Sequence, residues 1–331
     1  MFWRSRHPVK SKVMSGQIHS VSIVIPAYNS AEWVEATIES CLNQTVGEVE
    51  IVVVDDGSTD ATLDAVSRFG RRVTSHSLAN GGVSRARNFG ALKTSGEWLL
   101  FLDSDDRLLP HAVESLQRAA ESRKASVAYG MVIERREPPA IPRLNGFDFC
   151  AGAPPLPSQA NINRGAIITP GSAIVRRDVF ENAGGFISGT EPMEDRDLWM
   201  RCGLLASIAH CDTVVLDKTW RPGSHGTQDA KRIYRGWLAK RRLRAWGAER
   251  GLEIDWIPND AGLLTSAIQE AFHWRCWGLL EPLLADARRL GLSNGWTARG
   301  HAARIFFSLT GRGQPRPDWI DVSAGLLSNG A

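Results

Sequence analysis

Two clusters of acidic residues could do chemistry in this sequence, and the first follows a strongly apolar run. After Trp98–Leu102 come Asp103, Asp105 and Asp106. Carboxylates at the end of a buried strand are costly unless something neutralises them, and hard oxygen ligands at this spacing suit Mg²⁺ or Mn²⁺. The residues alone leave two interpretations open, a divalent-metal site and a solvated acidic turn that only ends the strand.

The second cluster lies far along the chain and contains Glu191, Glu194, Asp195 and Asp197. One interpretation is structural, because the helix dipole favours acids in the first turn of a helix. The other is acid–base chemistry, because a carboxylate that stands away from a metal site can take the proton of a hydroxyl group.

The N-terminal half of the chain predicts the elements that would position the first cluster. The β-branched runs Val21–Ile25 and Ile51–Val54 predict buried strands like the one that begins at Trp98, and Pro26 is expected to end the first of them. Residues at helical spacing follow each run. Strands that alternate with helices predict an α/β fold with a mostly parallel central sheet flanked by helices.

Polar residues follow the end of each predicted strand. Asn29 follows the first strand, Asp56 the second, and the acids from Asp103 onward the third. Asn29 also stands three residues before Glu32, which is the spacing of a helix capping box. In a parallel sheet, ligands bind beyond the carboxyl ends of the strands, so we expect these residues to share one ligand-binding rim.

Composition excludes several classes of protein. The 331 residues are 43% hydrophobic and 23% charged, as in ordinary globular proteins, and the net charge of +3 gives no electrostatic case for nucleic acid. Five scattered cysteines argue against a disulfide framework and a zinc site. The sequence shows neither a signal peptide nor a membrane-spanning run, so a cytoplasmic location is predicted.

Five segments, met in order, resemble the inverting family 2 glycosyltransferases. They are Ser22–Asn29, Val54–Asp60, Asn80–Gly90, Leu102–Asp106 and Glu194–Arg201. The resemblance implies a GT-A fold, a nucleotide-sugar donor, with UDP as the nucleotide, and Mg²⁺ or Mn²⁺. It divides the chain into a basic tail (1–20), a GT-A domain (21–228) and a helical C-terminal extension (229–331).

The resemblance also implies roles for the matching residues. The residues that would bind the nucleotide-sugar are Pro26, Tyr28, Asn29, Asp56, Arg87 and Asp103, with Arg85 beside them. The residues that would hold the metal are Asp105, Asp103, Asp106 and, in the segment after Trp220, His225. Asp195 would be the general base, and Glu194 would position the acceptor.

These roles predict transfer of a sugar to the hydroxyl group of a carbohydrate or lipid-linked acceptor, as in the synthesis of cell-surface polysaccharide or glycolipid. A nucleotidyltransferase is the rival enzyme, although it would favour a Gly-rich basic loop where Pro26–Asn29 stands. A glycoside hydrolase would also need two carboxylates, but no rim that faces a nucleotide. An inactive sugar- or nucleotide-binding module of the same fold is the third alternative.

The basic, aromatic-containing stretch from Lys231 to Arg250 allows two interpretations. It is typical of an amphipathic helix that covers the core. It is also compatible with peripheral contact at the anionic inner face of a membrane.

Overall fold

The structure, a computed structural model, describes residues 20–136, 143–145, 168–220, 229–252, 254, 259–273, 276–293 and 295–310. Its strands are β1 (Val21–Ala27), β2 (Glu50–Asp55), β3 (Thr74–Ser77), β4 (Trp98–Phe101), β5 (Arg107–Leu108), β6 (Val127–Arg136), β7 (Arg143–Asn145), β8 (Ala173–Arg176) and β9 (Ile208–Trp220).

The α-helices of the described residues are α1 (Val34–Leu42), α2 (Thr62–Ser67), α3 (Val83–Leu92), α4 (Ala112–Ser122), α5 (Arg177–Ala183), α6 (Glu194–Leu205), α7 (Asp229–Ala248), α8 (Asp260–His273), α9 (Leu280–Arg289) and α10 (Gly295–Thr310). Within this part of the chain, no helix combines enough length and hydropathy to span a bilayer.

All the strands join one sheet, in the order β3-β2-β1-β4-β8-β6-β9-β5, with β7 paired to β6. The four strands from β3 to β4 are parallel to one another. Beyond them the sheet is mixed, since β8 runs antiparallel to β4 and β6, whereas β9 runs parallel to β6 and antiparallel to β5. The predicted α/β fold with flanking helices is confirmed, but the sheet is mixed rather than mostly parallel, because strands alternate regularly with helices only in its N-terminal half.

The first strand continues through Pro26 to Ala27, two residues further than predicted. Leu102 donates its backbone N–H to the carbonyl oxygen of Val24, so residue 24 faces β4, and alternate residues such as Pro26 face the same side. Because β4 has already ended at Phe101, the N–H that proline lacks would have had no partner in the sheet.

Helix α6 joins two hydrophobic cores. Its residues Leu198 and Trp199 pack in the core on one face of the sheet, and Met200 and Leu204 pack in a separate core built from helices α7 to α9. The C-terminal helices therefore contact the helix that carries the second acidic cluster. The division into domains at residue 228 stays a prediction.

Because α3 lies close to the sheet, alanine substitutions at two glycines should change the free energy of unfolding by very different amounts. A Cβ atom at Gly90 would lie 2.3 Å from Val24 Cγ1 and 3.1 Å from Val54 Cγ2, whereas the nearest atom to a Cβ at Gly236 among the described residues is Met193 Cε, at 3.6 Å. We expect Gly90→Ala to lower the free energy of unfolding by about 1–3 kcal/mol through overpacking. We expect Gly236→Ala to be neutral or to raise it by up to about 1 kcal/mol, because alanine favours the helix.

Urea unfolding followed by circular dichroism measures both changes. Equal stability of the two variants would contradict the tight contact between α3 and β1.

Candidate active site

The acidic turn after β4 is held in place by hydrogen bonds to α1. The backbone N–H of Asp106 donates to the carbonyl oxygen of Asp103 at 3.1 Å, which closes the turn. Thr37 Oγ1 lies 2.9 Å from the carbonyl oxygen of Ser104 and 2.8 Å from that of Asp106. The hydroxyl groups of Ser30 and Ser104 are 2.6 Å apart, so the ends of β1 and β4 are joined directly.

Arg87 connects the two acidic clusters. Its Nη2 donates to Asp103 Oδ1 at 2.6 Å, and its Nη1 donates to Glu194 Oε1 at 3.0 Å. The side chain is only 2% exposed and lies over the ring of Phe186, 5.0 Å from its centroid. Burial opposes the charge of Arg87, but Asp103 and Glu194 outweigh it and raise its pKa above the ordinary value.

A second cation lies among the same acids. Lys218, near the end of β9, places Nζ 3.4 Å from Asp106 Oδ2, 3.9 Å from Asp103 Oδ2 and 3.2 Å from Thr169 Oγ1. Burial alone would lower the pKa of Lys218, but Asp106, Asp103 and Asp105 raise it well above its ordinary value. Lys218 is therefore a permanent positive charge beside the acidic turn.

Asp195 opens α6 next to Glu194 and is only partly buried. Its Oδ1 accepts the backbone N–H of Arg196 at 2.6 Å. Desolvation, and then the negative charge of Glu194, raise the pKa of Asp195 to about 7, against the opposing charges of Arg87 and Lys218. A carboxylate with such a pKa can both hold and release a proton near neutral pH.

The residues predicted to bind the nucleotide differ in exposure, and Asp56 is engaged in hydrogen bonds to the backbone. Asp56 is 4% exposed, and its two carboxylate oxygens accept the backbone N–H groups of Gly81 (2.9 Å) and Gly82 (2.7 Å). It therefore fixes the turn that leads into α3. Tyr28 is 52% exposed at the end of β1, while Pro26 is buried within that strand.

The predicted capping box at Asn29 is wrong. Helix α1 begins at Val34 without a side-chain cap, and Asn29 has a positive φ of 48°, which asparagine tolerates better than most residues. Its side-chain oxygen accepts the N–H of Thr59 at 2.8 Å, and its own N–H donates to Ser58 Oγ at 2.9 Å. Asn29 thus connects the loops that follow β1 and β2.

Two other acids of the second cluster have structural partners. Asp197 and Arg201 form a buried ion pair in which Arg201 Nη2 lies 2.5 Å from Asp197 Oδ2. Glu191 instead accepts a hydrogen bond from Ser84 Oγ at 2.6 Å, which connects this segment to α3. His225, the remaining predicted metal ligand, lies outside the described residues.

The acids of the turn differ in their suitability for a metal ion. Asp106 is 1% exposed, and its carboxylate accepts hydrogen bonds from the backbone N–H of Thr219 (2.9 Å) and from Lys218. Asp103 and Asp105 are both partly exposed, and their carboxylate oxygens are the hard ligands that Mg²⁺ and Mn²⁺ prefer. Asp105 and Asp103 therefore fit such an ion better than Asp106, although no group of three or more His, Cys, Asp or Glu side chains within the described ranges forms a complete metal site.

Sequence patterns did not indicate Lys218, because it lies 112 residues beyond Asp106 and belongs to no recognisable motif. Its one signal in the sequence is a position two residues after the apolar run Val214–Leu216. The burial of Arg87 was equally hidden, since a helix sequence does not show which of Arg85 and Arg87 faces the protein.

Residues 22–184 match the family Glycosyl transferase family 2. This part of the chain therefore belongs to the family 2 glycosyltransferases, which are transferases, and its α/β sheet with flanking helices is the GT-A fold.

Particular relatives support this assignment. The chain is 30% identical over 200 residues to the glycosyltransferase GlyG of Streptococcus pneumoniae serotype 4, a match that covers 56% of this chain and 66% of that protein. It is 44% identical over 101 residues to chondroitin synthase of Pasteurella multocida, covering 30% of this chain and 10% of the synthase. The chain thus spans less than two thirds of the length of either relative.

Among solved structures, S. aureus TarS 1–349 in complex with UDP-GlcNAc shares the fold. The TM-score is 0.59 at 20% sequence identity, over 87% of this chain and 88% of that one.

Arg87 and Arg85, two residues apart on α3, give a matched pair of substitutions. Arg87→Met leaves Asp103 and Glu194 without their shared cation, so we expect it to lower the free energy of unfolding by about 3–5 kcal/mol. Arg85 is exposed and donates to the carbonyl oxygen of Ala79, so Arg85→Met should change stability by no more than about 0.5 kcal/mol.

Denaturant titration of both variants provides the measurement. Similar small effects for the two substitutions would mean that Arg87 does not hold the acidic clusters together.

Proposed function

We propose that this protein is an inverting glycosyltransferase that moves a sugar from a UDP-sugar donor to a hydroxyl group of an acceptor. One observation carries the proposal. The Arg87 guanidinium contacts both Asp103, which follows β4, and Glu194, which opens α6. The two acidic clusters are therefore parts of one site, in which a donor bound at the first cluster would meet an acceptor bound at the second.

The donor would lie along the rim formed by the ends of β1, β2 and β4. Tyr28 offers an exposed ring for contact with a base or ribose, and Asp56 and Asn29 hold the loops around it. Family membership and the UDP-GlcNAc complex of the structurally similar TarS support a UDP-sugar as the donor. Here the roles of Asp56, Asn29 and Arg87 are to shape the nucleotide site.

In the proposed reaction, Asp105 and Asp103 would hold Mg²⁺ or Mn²⁺, which supplies positive charge for the diphosphate leaving group when it is bound. The acceptor oxygen forms a bond to C1 of the sugar while the bond from C1 to the diphosphate breaks. Nucleoside diphosphate leaves, and a single displacement inverts the configuration at C1.

Asp195 accepts the proton of the acceptor hydroxyl in the same step. It stands apart from the acidic turn and has a pKa raised to about 7 by desolvation and by Glu194, so it is a suitable base just above neutral pH. Glu194 Oε1 is held by Arg87, and its Oε2 has no hydrogen-bond partner among the described residues. A bound acceptor hydroxyl would satisfy that oxygen, which supports a positioning role for Glu194.

The acceptor that we propose is a carbohydrate or a lipid-linked glycan, as in the synthesis of cell-surface polysaccharide or glycolipid. The cytoplasmic location, with peripheral contact at the membrane for a lipid-linked acceptor, stays a prediction.

Thermal shift with nucleoside diphosphates tests the donor site. UDP at about 100 times its Kd should stabilise the fold by about 2.7 kcal/mol, and the shift should be larger with Mn²⁺ or Mg²⁺ than with EDTA. Asp105→Asn should remove the metal-dependent part of the shift. The control substitution Asp64→Asn, which changes an exposed acid of α2, should leave the metal-dependent part of the shift unchanged.

GDP and dTDP serve as comparison ligands in the same panel. If none of the three nucleotides shifts the unfolding temperature, the inactive-module alternative becomes the better explanation. If Asp105→Asn behaves as wild type, the metal site is wrong.

Removal of the base tests the chemical step. Asp195→Asn should lower UDP release from UDP-GlcNAc and other UDP-sugars, with water or simple glycosides as acceptors, by about a hundred- to ten-thousandfold, while UDP binding stays unchanged. For the wild type, kcat/KM should fall by about tenfold for each pH unit below 7 and level off above it, because the carboxylate must be deprotonated to act as a base.

The Asp64→Asn variant is again the control and should follow the wild-type pH profile. Wild-type rates in the Asp195→Asn variant would disprove the assignment of the base.

A further inference from the structure

Lys218 has contacts that a purely structural ion pair would not need. Asp106 already accepts the N–H of Thr219 at 2.9 Å, and Lys218 compensates its remaining charge at 3.4 Å. The ammonium group nevertheless lies where it also approaches Asp103, at 3.9 Å. It therefore stands between the buried acid of the turn and an acid that faces the rim.

The two cations of the site differ in access. Arg87 is 2% exposed, whereas the side chain of Lys218 is 26% exposed. The Nη atoms of Arg87 both donate to carboxylates. An ammonium group has three N–H donors, and Asp106 and Thr169 take two of those of Lys218. Because Arg87 is almost fully buried and Lys218 is partly exposed, Lys218 is the better placed of these two cations to donate to a bound ligand.

The charges around the turn make such a donor useful. Asp103, Asp105, Asp106, Glu194 and Asp195 face two cations in this region. A nucleoside diphosphate would add further negative charge, so its binding needs positive charge within reach of the phosphate oxygens. Lysine is a common phosphate ligand and acts as a compact point charge.

We propose that Lys218 binds the diphosphate of the nucleotide-sugar donor directly, beside the ion held by Asp105 and Asp103. The inference rests on the proposed function. Asp106 and Thr169 position the ammonium group, and its third N–H contacts a phosphate oxygen. Donor binding consequently has a component that survives removal of the metal.

Calorimetric titration with UDP in EDTA, and ligand-observed NMR with uridine, test the proposal. The wild type should bind UDP more tightly than uridine in EDTA. Lys218→Met should weaken UDP binding by about tenfold or more and leave uridine binding unchanged, and Lys218→Arg should recover part of the loss. Lys93→Met, in an exposed lysine after α3, should bind UDP as the wild type does.

Because Lys218→Met leaves the buried Asp106 unpaired, the same titrations compare Asp106→Asn with the double variant Asp106→Asn/Lys218→Met. The double variant should bind UDP more weakly than Asp106→Asn does, and the two variants should bind uridine equally. The proposal is overturned if folded Lys218→Met keeps wild-type affinity for UDP in EDTA, or loses UDP and uridine equally. Wild-type protein that binds UDP with Mn²⁺ but not in EDTA overturns only the role of Lys218, whereas no UDP binding under either condition overturns the proposed donor as well.

Discussion

The buried guanidinium group of Arg87 is the interaction on which the site depends. Charges removed from water cost several kcal/mol each unless partners compensate them, and Arg87 is compensated by Asp103 and Glu194 together. These partners come from segments that share no sheet pairing, the turn after β4 and the start of α6. Neither segment can move away alone without leaving a buried charge unpaired. The separation of the two acidic clusters is therefore set by one side chain.

The positions of the cations also determine which acids are buried and which remain partly exposed. Lys218 and the N–H of Thr219 hold Asp106 inside the protein, and Arg201 holds Asp197 in the same way. The acids left with partial exposure at the rim are the ones in the best position to meet substrate. Adjacent aspartates of one motif thus differ in burial and in their partners, because different cations lie near them.

Sequence patterns predicted what depends on local order and missed what depends on distant pairing. The strands that begin at Val21, Glu50 and Trp98, and the rim at their ends, followed from apolar runs. Lys218 did not, because its acidic partners Asp103 and Asp106 are more than a hundred residues away in the sequence. Asn29 was misjudged for a related reason: a capping spacing exists in the sequence, but the loop after β2 offers its side chain better partners.

The basic helix α7 directs several of its cations at the protein itself. Arg235 donates to the carbonyl oxygen of Gly189, and Arg241 and Arg244 both pair with Asp260 of α8. Much of the positive charge that resembles a membrane-binding surface is thus directed at the protein itself. Because α7 packs on α6 through the core that contains Met200, these contacts fix the helix that presents Asp195. The C-terminal helices can thereby influence the position of Asp195, the residue that we propose as the general base.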